Sequence, residues 1–171
     1  MSTTIQWTDE TWNPTTGCTR VSEGCRHCYI ERTPAFRIAG RKFINGHIPL
    51  ALHHDRLDQP LRWKRPRRVF VNSLSDLFHE DISDEFLDQV FATMADSCRH
   101  TFQILTKRPK RMLQYLSPEN PRYTARKVFD LTKGSAGKFD CDIYWPLDNV
   151  WMGVSVEDQA TADARIPILT Q

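Results

Sequence analysis

Residues 69–109 read VFVNSLSDLFHEDISDEFLDQVFATMADSCRHTFQILTKRP. Val69 to Leu74 is largely apolar and follows a basic turn, the pattern of a buried strand. Ser83 then offers a helix N-cap, with Asp84 and Glu85 suited to the positive first turn. Phe86, Leu87, Val90, Phe91, Met94 and Ala95 recur at helical spacing. His100 to Thr106, with Phe102, Ile104 and Leu105, predicts a second strand. Pro109 fits the first position of a further helix carrying Met112, Leu113 and Leu116. Strand and helix thus alternate twice, which predicts parallel strands joined by helical crossovers.

Downstream, Val150 to Val156 reads as another strand, and Asp158 to Ile166 as a helix that Pro167 interrupts. Upstream, Thr11 to Gly17 reads as a short strand feeding a turn. A helix is predicted from about Cys28 to Ala39, although Pro34 in its interior would remove a backbone donor. Residues 40–66 hold Gly40, Gly46, Pro49, Pro60 and Pro66 and read as irregular. Residues 117–148, broken by Pro118, Pro121, Gly134, Gly137 and Pro146, read as an irregular insertion. The predicted fold is α/β: a partial (β/α) barrel-like parallel sheet with helical crossovers and about four β-α units, one domain over residues 1–171. In such sheets functional groups collect beyond the C-terminal strand ends.

At 171 residues the chain can bury a sizeable core, and 40% hydrophobic with 26% charged residues suits an ordinary globular protein. A net charge of +2 does not by itself point to a nucleic-acid partner. No run approaches 18 apolar residues, so no membrane partner is expected. The N-terminus lacks the basic patch and apolar stretch of a secretory signal, and a cytoplasmic location is expected. Disulfides are rare there, and the cysteines are five, an odd number. Three of them crowd into GCTRVSEGCRHCY, residues 17–29. In a reducing compartment that crowding reads first as metal binding or redox chemistry.

Cys25 and Cys28 are spaced to present both sulfurs to one centre, and Cys18 can reach it through the loop. Gly17 and Gly24 permit tight backbone turns directly before two of the cysteines. Arg20 and Arg26 favour the thiolate forms that bind metal. Three thiolates suit a four-iron cluster that leaves one iron open. Zinc stays open as well, since His27, His47 or Cys141 could supply the fourth ligand of a structural site. Cys98 and Cys141 read as ordinary thiols.

WNPTTGC (Trp12–Cys18) with Cys25 and Cys28 resembles the phage three-cysteine-motif proteins. These come from phages and prophages and are similar to radical S-adenosylmethionine (SAM) enzymes. The resemblance continues through Asp55–Trp63, Val71–His79, Leu105–Pro109 and Gly153–Gln159, nearly the whole chain. Two features depart from the radical-SAM pattern. Six residues separate the first two cysteines instead of three, and about four β-α units replace the usual six. The chain is then either a fragment or a naturally shortened relative.

The resemblance implies that Cys18, Cys25 and Cys28 hold a 4Fe–4S cluster whose open iron chelates SAM. One electron from the cluster then cleaves a carbon–sulfur bond and gives a deoxyadenosyl radical. It implies His27 near the adenine, Asn72, Ser73 and Asp76 at the methionine amino end, and Ser155 and Glu157 at the ribose hydroxyls. Asp76 is the sensible acceptor for the ammonium. Lys107 and Arg108 would neutralise a carboxylate or substrate phosphate, and Lys107 and Asp76 are the catalytic candidates. The implied activity is modification of a nucleic acid or nucleotide in the cytoplasm of a phage host.

Each of these side chains also has a plain structural reading as a strand-end, helix-cap or surface group. The rival function is a zinc-stapled, non-enzymatic phage module that binds nucleic acid or a protein partner. Trp63-Lys64-Arg65-Pro66-Arg67-Arg68 could bind phosphates and stack on a base. His53-His54-Asp55 is a poor metal pair, because adjacent side chains seldom face one ion. His79-Glu80-Asp81 follows a strand and can face the site. Lys133 to Phe139 only superficially matches a phosphate loop: Thr132 and Phe139 stand where the motif requires Gly and Ser or Thr.

Overall fold

The computed structural model describes residues 5–117, 128, 130–132 and 145–171. The strands among them are β1 (Glu10–Trp12), β2 (Thr15–Thr19), β3 (His47–Leu52), β4 (Arg68–Val71), β5 (Thr101–Thr106) and β6 (Val150–Val154). The labelled helices are α1 (Pro34–Ile38), α2 (Asp84–Asp96), α3 (Pro109–Leu116) and α4 (Gln159–Leu169).

Strands β1, β4, β5 and β6 form one sheet in that order, every pair parallel. Each strand joins beside the one before it, as in a barrel wall and unlike a doubly wound sheet. Among the described residues β1 and β6 stay apart as edges, so the barrel is partial. This is the α/β, barrel-like parallel arrangement that the alternation predicts.

The local chemistry explains the elements. Along β5, Phe102, Ile104 and Thr106 point inward while Thr101, Gln103 and Leu105 do not, the period of a pleated strand. The Ser83 hydroxyl accepts a hydrogen bond from the Phe86 N–H at 3.3 Å and caps α2. Pro109 opens α3. Asp158 and Thr161 close a reciprocal cap on α4. Trp12, Val69, Val71, Phe102 and Ile104 of the sheet pack on Phe86, Leu87, Val90, Phe91 and Met94 of α2. Burying each such side chain contributes about 1.5–3 kcal/mol.

The structure corrects several boundaries. The expected strand Thr11–Gly17 is two strands, because Pro14 has no N–H to continue a ladder. The helix expected from Cys28 begins at Pro34 and ends at Ile38. Pro34 holds Thr33 in extended backbone and so starts the helix instead of interrupting it. A 3-10 turn, Ile30–Arg32, precedes it. Residues 40–66 contain β3, where Pro49 is tolerated in a two-stranded ribbon. Strand β4 ends at Val71 because Asn72 adopts φ +63°. Strand β6 ends at Val154, and α4 continues through Pro167.

Of the expected insertion, residues 128 and 130–132 are helical; Lys133–Phe139 and Cys141 lie outside the described residues. Cys98 is disulfide-bonded, where a free thiol was expected. The expectation follows from its place at the end of a helix, and spacing in the sequence carries no signal for the bond. Among the described residues no helix is long and apolar enough to cross a membrane.

Candidate metal centre

The cysteines lie where the chain leaves the main sheet. After β1, the Asn13 side-chain oxygen accepts from the Leu74 N–H at 2.9 Å and the Ser73 hydroxyl at 3.1 Å. This ties the end of β1 to the end of β4. The chain then runs into β2, which pairs antiparallel with β3 and shifts register between Thr16 and Cys18. At the shift Gly17 alone faces two residues of β3, Pro49 and Leu50. Its φ is +100°, and a Cβ there would lie 2.1 Å from the Pro49 carbonyl oxygen, so only glycine fits. Ile30, Phe36 and Ile48 form a second small core, against which Cys18, Cys28, Phe43 and Leu74 pack. These elements make a cap, and the cysteines sit at its seam with the sheet.

Three strand ends hold the cysteine loop. The Ser73 carbonyl, beyond β4, accepts from the Tyr29 hydroxyl at 2.6 Å. Arg108, beyond β5, donates to the Thr19 carbonyl at 3.1 Å. Glu157, beyond β6, accepts from the Ser22 hydroxyl at 2.8 Å. Gly24 lies so close that a Cβ would fall 2.2 Å from Glu157 Cγ. The loop therefore crosses the C-terminal ends of β4, β5 and β6, the location that the topology predicts for function.

Cys18, Cys25 and Cys28 are free and half-buried. Burial pushes the Cys18 thiol up to about 11, with Arg108 opposing and Asp76 and Cys25 adding to the rise. Burial also raises Cys25, but hydrogen bonds from Val21 and Ser22 outweigh it and hold the thiol below its ordinary value.

The other predicted residues divide into two groups. Asp76 is buried and saturated. One oxygen accepts from Thr106 Oγ1 at 2.7 Å and Phe78 N at 3.0 Å; the other accepts from Lys107 N at 2.9 Å and Arg108 at 3.2 Å. Asn72 is spent on Thr15: its amide donates to Thr15 Oγ1 at 2.8 Å, and its oxygen accepts from Thr15 N at 3.3 Å. Ser73 is bonded to Asn13. These three pin the strand ends to one another.

Lys107 and Glu157 are brought together as an ion pair beside the cysteine loop, and Arg165 donates to the second Glu157 oxygen at 3.0 Å. Burial raises the Glu157 carboxyl, but Lys107 and Ser22 outweigh it and hold the group below the usual range. The Ser155 N–H donates to the Thr106 carbonyl at 2.9 Å, and its hydroxyl has no hydrogen bond among the described residues. His27 is exposed at the end of the 3-10 turn Glu23–His27.

Two features escape the sequence reading. The Ser75 hydroxyl, in the loop after β4, is buried without a hydrogen-bond partner among the described residues. Nothing in NSLSD sets Ser75 apart from Ser73. Thr19 joins two histidines. The Asp81 N–H donates to His79 Nδ1 at 3.2 Å, so His79 Nε2 carries the proton and donates to Thr19 Oγ1 at 2.9 Å. The Thr19 hydroxyl in turn donates to His47 Nδ1 at 2.9 Å. Both pairings depend on which loops meet in space.

A structural zinc ion draws four donors to about 2.0–2.3 Å from one point. Among the described residues no group of three or more His, Cys, Asp or Glu side chains is placed to hold a metal ion. His47, one candidate fourth ligand, is engaged with Thr19. The basic run 63–68 lies at the other end of the sheet, ahead of β4. There Arg67 pairs with Glu10 and Arg68 with Asp9, at 2.6 and 3.2 Å. The Trp63 ring is covered by Arg67 and His100, which leaves it poorly placed to stack on a base.

A family model described as Protein of unknown function (DUF5131) matches residues 2–171, and the chain belongs to that family. No curated protein and no solved structure matches it.

Proposed function

We propose that this member of the DUF5131 family is a radical-SAM-like iron–sulfur protein, with Cys18, Cys25 and Cys28 holding a four-iron cluster and SAM as its cofactor. The observation that carries the reading is the cysteine loop itself. It brings three free thiols across the ends of three parallel strands, with a cation, Arg108, against Cys18. A four-iron cluster spreads its thiolate ligands around a cube of iron and sulfide, more widely than a single ion does. Three thiols without a fourth donor among the described residues suit such a cluster better than zinc.

When bound, that group supplies one-electron cleavage of the SAM carbon–sulfur bond. The chain's own residues position it. Arg108, Ser22 and the Gly24–Glu157 contact fix the loop, and the hydrogen bonds from Val21 and Ser22 favour the Cys25 thiolate, the form that binds metal. Burial favours the protonated Cys18, so metal binding there would release a proton. The Ser75 and Ser155 hydroxyls are polar groups at the strand ends with no partner of their own among the described residues, and they suit the polar ends of SAM. Asp76, Asn72 and Ser73 act one step back, as positioning residues that hold those strand ends. Lys107 and Glu157 form an ion pair at the mouth, where an anionic substrate would exchange for one partner.

Anaerobically reconstituted protein is expected to be brown and to bind about four irons per chain. Alanine at Cys18, Cys25 or Cys28 is expected to remove most of that iron. Stoichiometric zinc without iron, or iron uptake indifferent to the three substitutions, overturns the metal assignment. Full iron loading with no deoxyadenosine released from SAM under reduction removes the enzymatic half and leaves the cluster.

A further inference from the structure

The cap differs in charge from the rest of the chain. Residues 20–42 carry six Lys or Arg against two Glu, a surplus of four in a chain of net charge +2, so the remainder is net acidic. Arg20 reaches Glu31 only at 4.0 Å, Arg26 pairs with Glu23 at 3.1 Å, and Arg41 is spent on Thr16 and Pro49. Arg32, Arg37 and Lys42 are exposed, with no carboxylate partner among the described residues. The cap also exposes Tyr29, at 49%, directly after Cys28. Its hydroxyl is anchored on the Ser73 carbonyl, so the ring is held in one place at the seam.

Arg32 N donates to the Tyr29 carbonyl at 2.9 Å, and Arg37 and Lys42 follow in the same cap, so unpaired cations trail a fixed, open aromatic ring, a combination that suits a single-stranded nucleic acid. Its phosphates take the charges and its bases stack on the ring. An anionic membrane would attract the same charges. However, α1 (Pro34–Ile38) turns Phe36 inward and exposes only Ile38 of its large apolar side chains, at 84%, and one such residue on a five-residue helix makes no apolar face for a lipid surface. At the opposite end of the sheet, Glu10 and Asp9 neutralise half of the run that the sequence first suggests.

We propose that Arg32, Arg37 and Lys42 bind the backbone phosphates of a single-stranded nucleic acid while Tyr29 stacks on a base beside the cysteine seam. Single-stranded nucleic acid is then the substrate class of the site. That last step rests on the reading of the seam as the reactive centre, whereas the binding itself needs no iron.

The test is fluorescence anisotropy of the full chain, iron-free and iron-loaded, with labelled single-stranded DNA and RNA of about 20 nucleotides. Phosphatidylserine vesicles serve as the competing surface. The triple variant R32E/R37E/K42E is expected to bind at least about tenfold more weakly and to lose about two units of the log–log salt slope. The pair K64E/R65E is expected to change affinity less than about twofold. Tyr29→Ala is expected to weaken binding about fivefold or more, and Tyr29→Phe, which keeps the ring and loses only its anchor on Ser73, to weaken it less than Tyr29→Ala does. Thermal melts monitor the fold, and R32Q/R37Q/K42Q replaces the charge reversals if they unfold the chain. Binding that survives the cap triple, or tighter binding to vesicles than to oligonucleotide, overturns the inference. Full iron loading with no oligonucleotide binding sinks this proposal alone; oligonucleotide binding without iron uptake supports it and sinks the metal assignment alone.

Discussion

Gly24 and Asp76 are the residues on which the seam depends most directly. Glu157 is held by Lys107, Ser22 and Arg165, so it cannot easily retreat from a methyl group placed at Gly24. Gly24→Ala is expected to cost about 1–3 kcal/mol in urea unfolding, the usual range for overpacking. It is also expected to speed alkylation of Cys25 as the loop lifts. Unchanged stability and labelling would show a looser seam. Asp76 is the main buried counter-charge of Arg108, since Glu80, the other carboxylate on that guanidinium, is largely exposed. Asp76→Ala is expected to lose about 3–5 kcal/mol, the range for breaking a buried pair from one side. A loss under 1 kcal/mol would mean that Glu80 alone suffices.

Among the elements, α2 carries most of the helical contribution to the core and depends on its first turn. Ser83→Ala is expected to cost about 1 kcal/mol by thermal or denaturant melting. No change would indicate that water replaces the hydroxyl. This helix was legible because its apolar spacing, its cap and its acidic first turn agree. Strands β4 and β5 were legible for the same local reason. Strand β3 was not, because it alternates weakly, contains Pro49 and belongs to a two-stranded ribbon with little to bury. The placement of the cysteine loop followed from topology, since parallel strands gather their loops at one end. The roles of Asn72, Asp76 and Ser75 were not readable. Their partners, Thr15 for Asn72 and Thr106 to Arg108 for Asp76, are distant in sequence and meet only through the fold.

At the scale of the whole molecule, three histidines give the stability a pH dependence of definite sign. Burial lowers the pKa of His53, His79 and His100 below the ordinary 6.5. For His100, a proton on the buried Nδ1 would find no acceptor among the described residues. The unfolded chain therefore binds more protons below about pH 6.5. The stabilisation is complete above that pH and is lost as the pH falls toward the lowered native values. Each histidine can steepen the loss by up to about 1.4 kcal/mol per pH unit. Urea unfolding between about pH 7 and 5 is expected to show this slope, reduced in His100→Phe; identical profiles for the two proteins would contradict it.

The parallel sheet also makes the molecule directional. Lys64 stands just ahead of β4 and the sulfurs stand past the strand exits, so the two lie at opposite poles. Protein immobilised on a bead through Lys64 would turn its thiols toward the bulk liquid, free to meet whatever flows past.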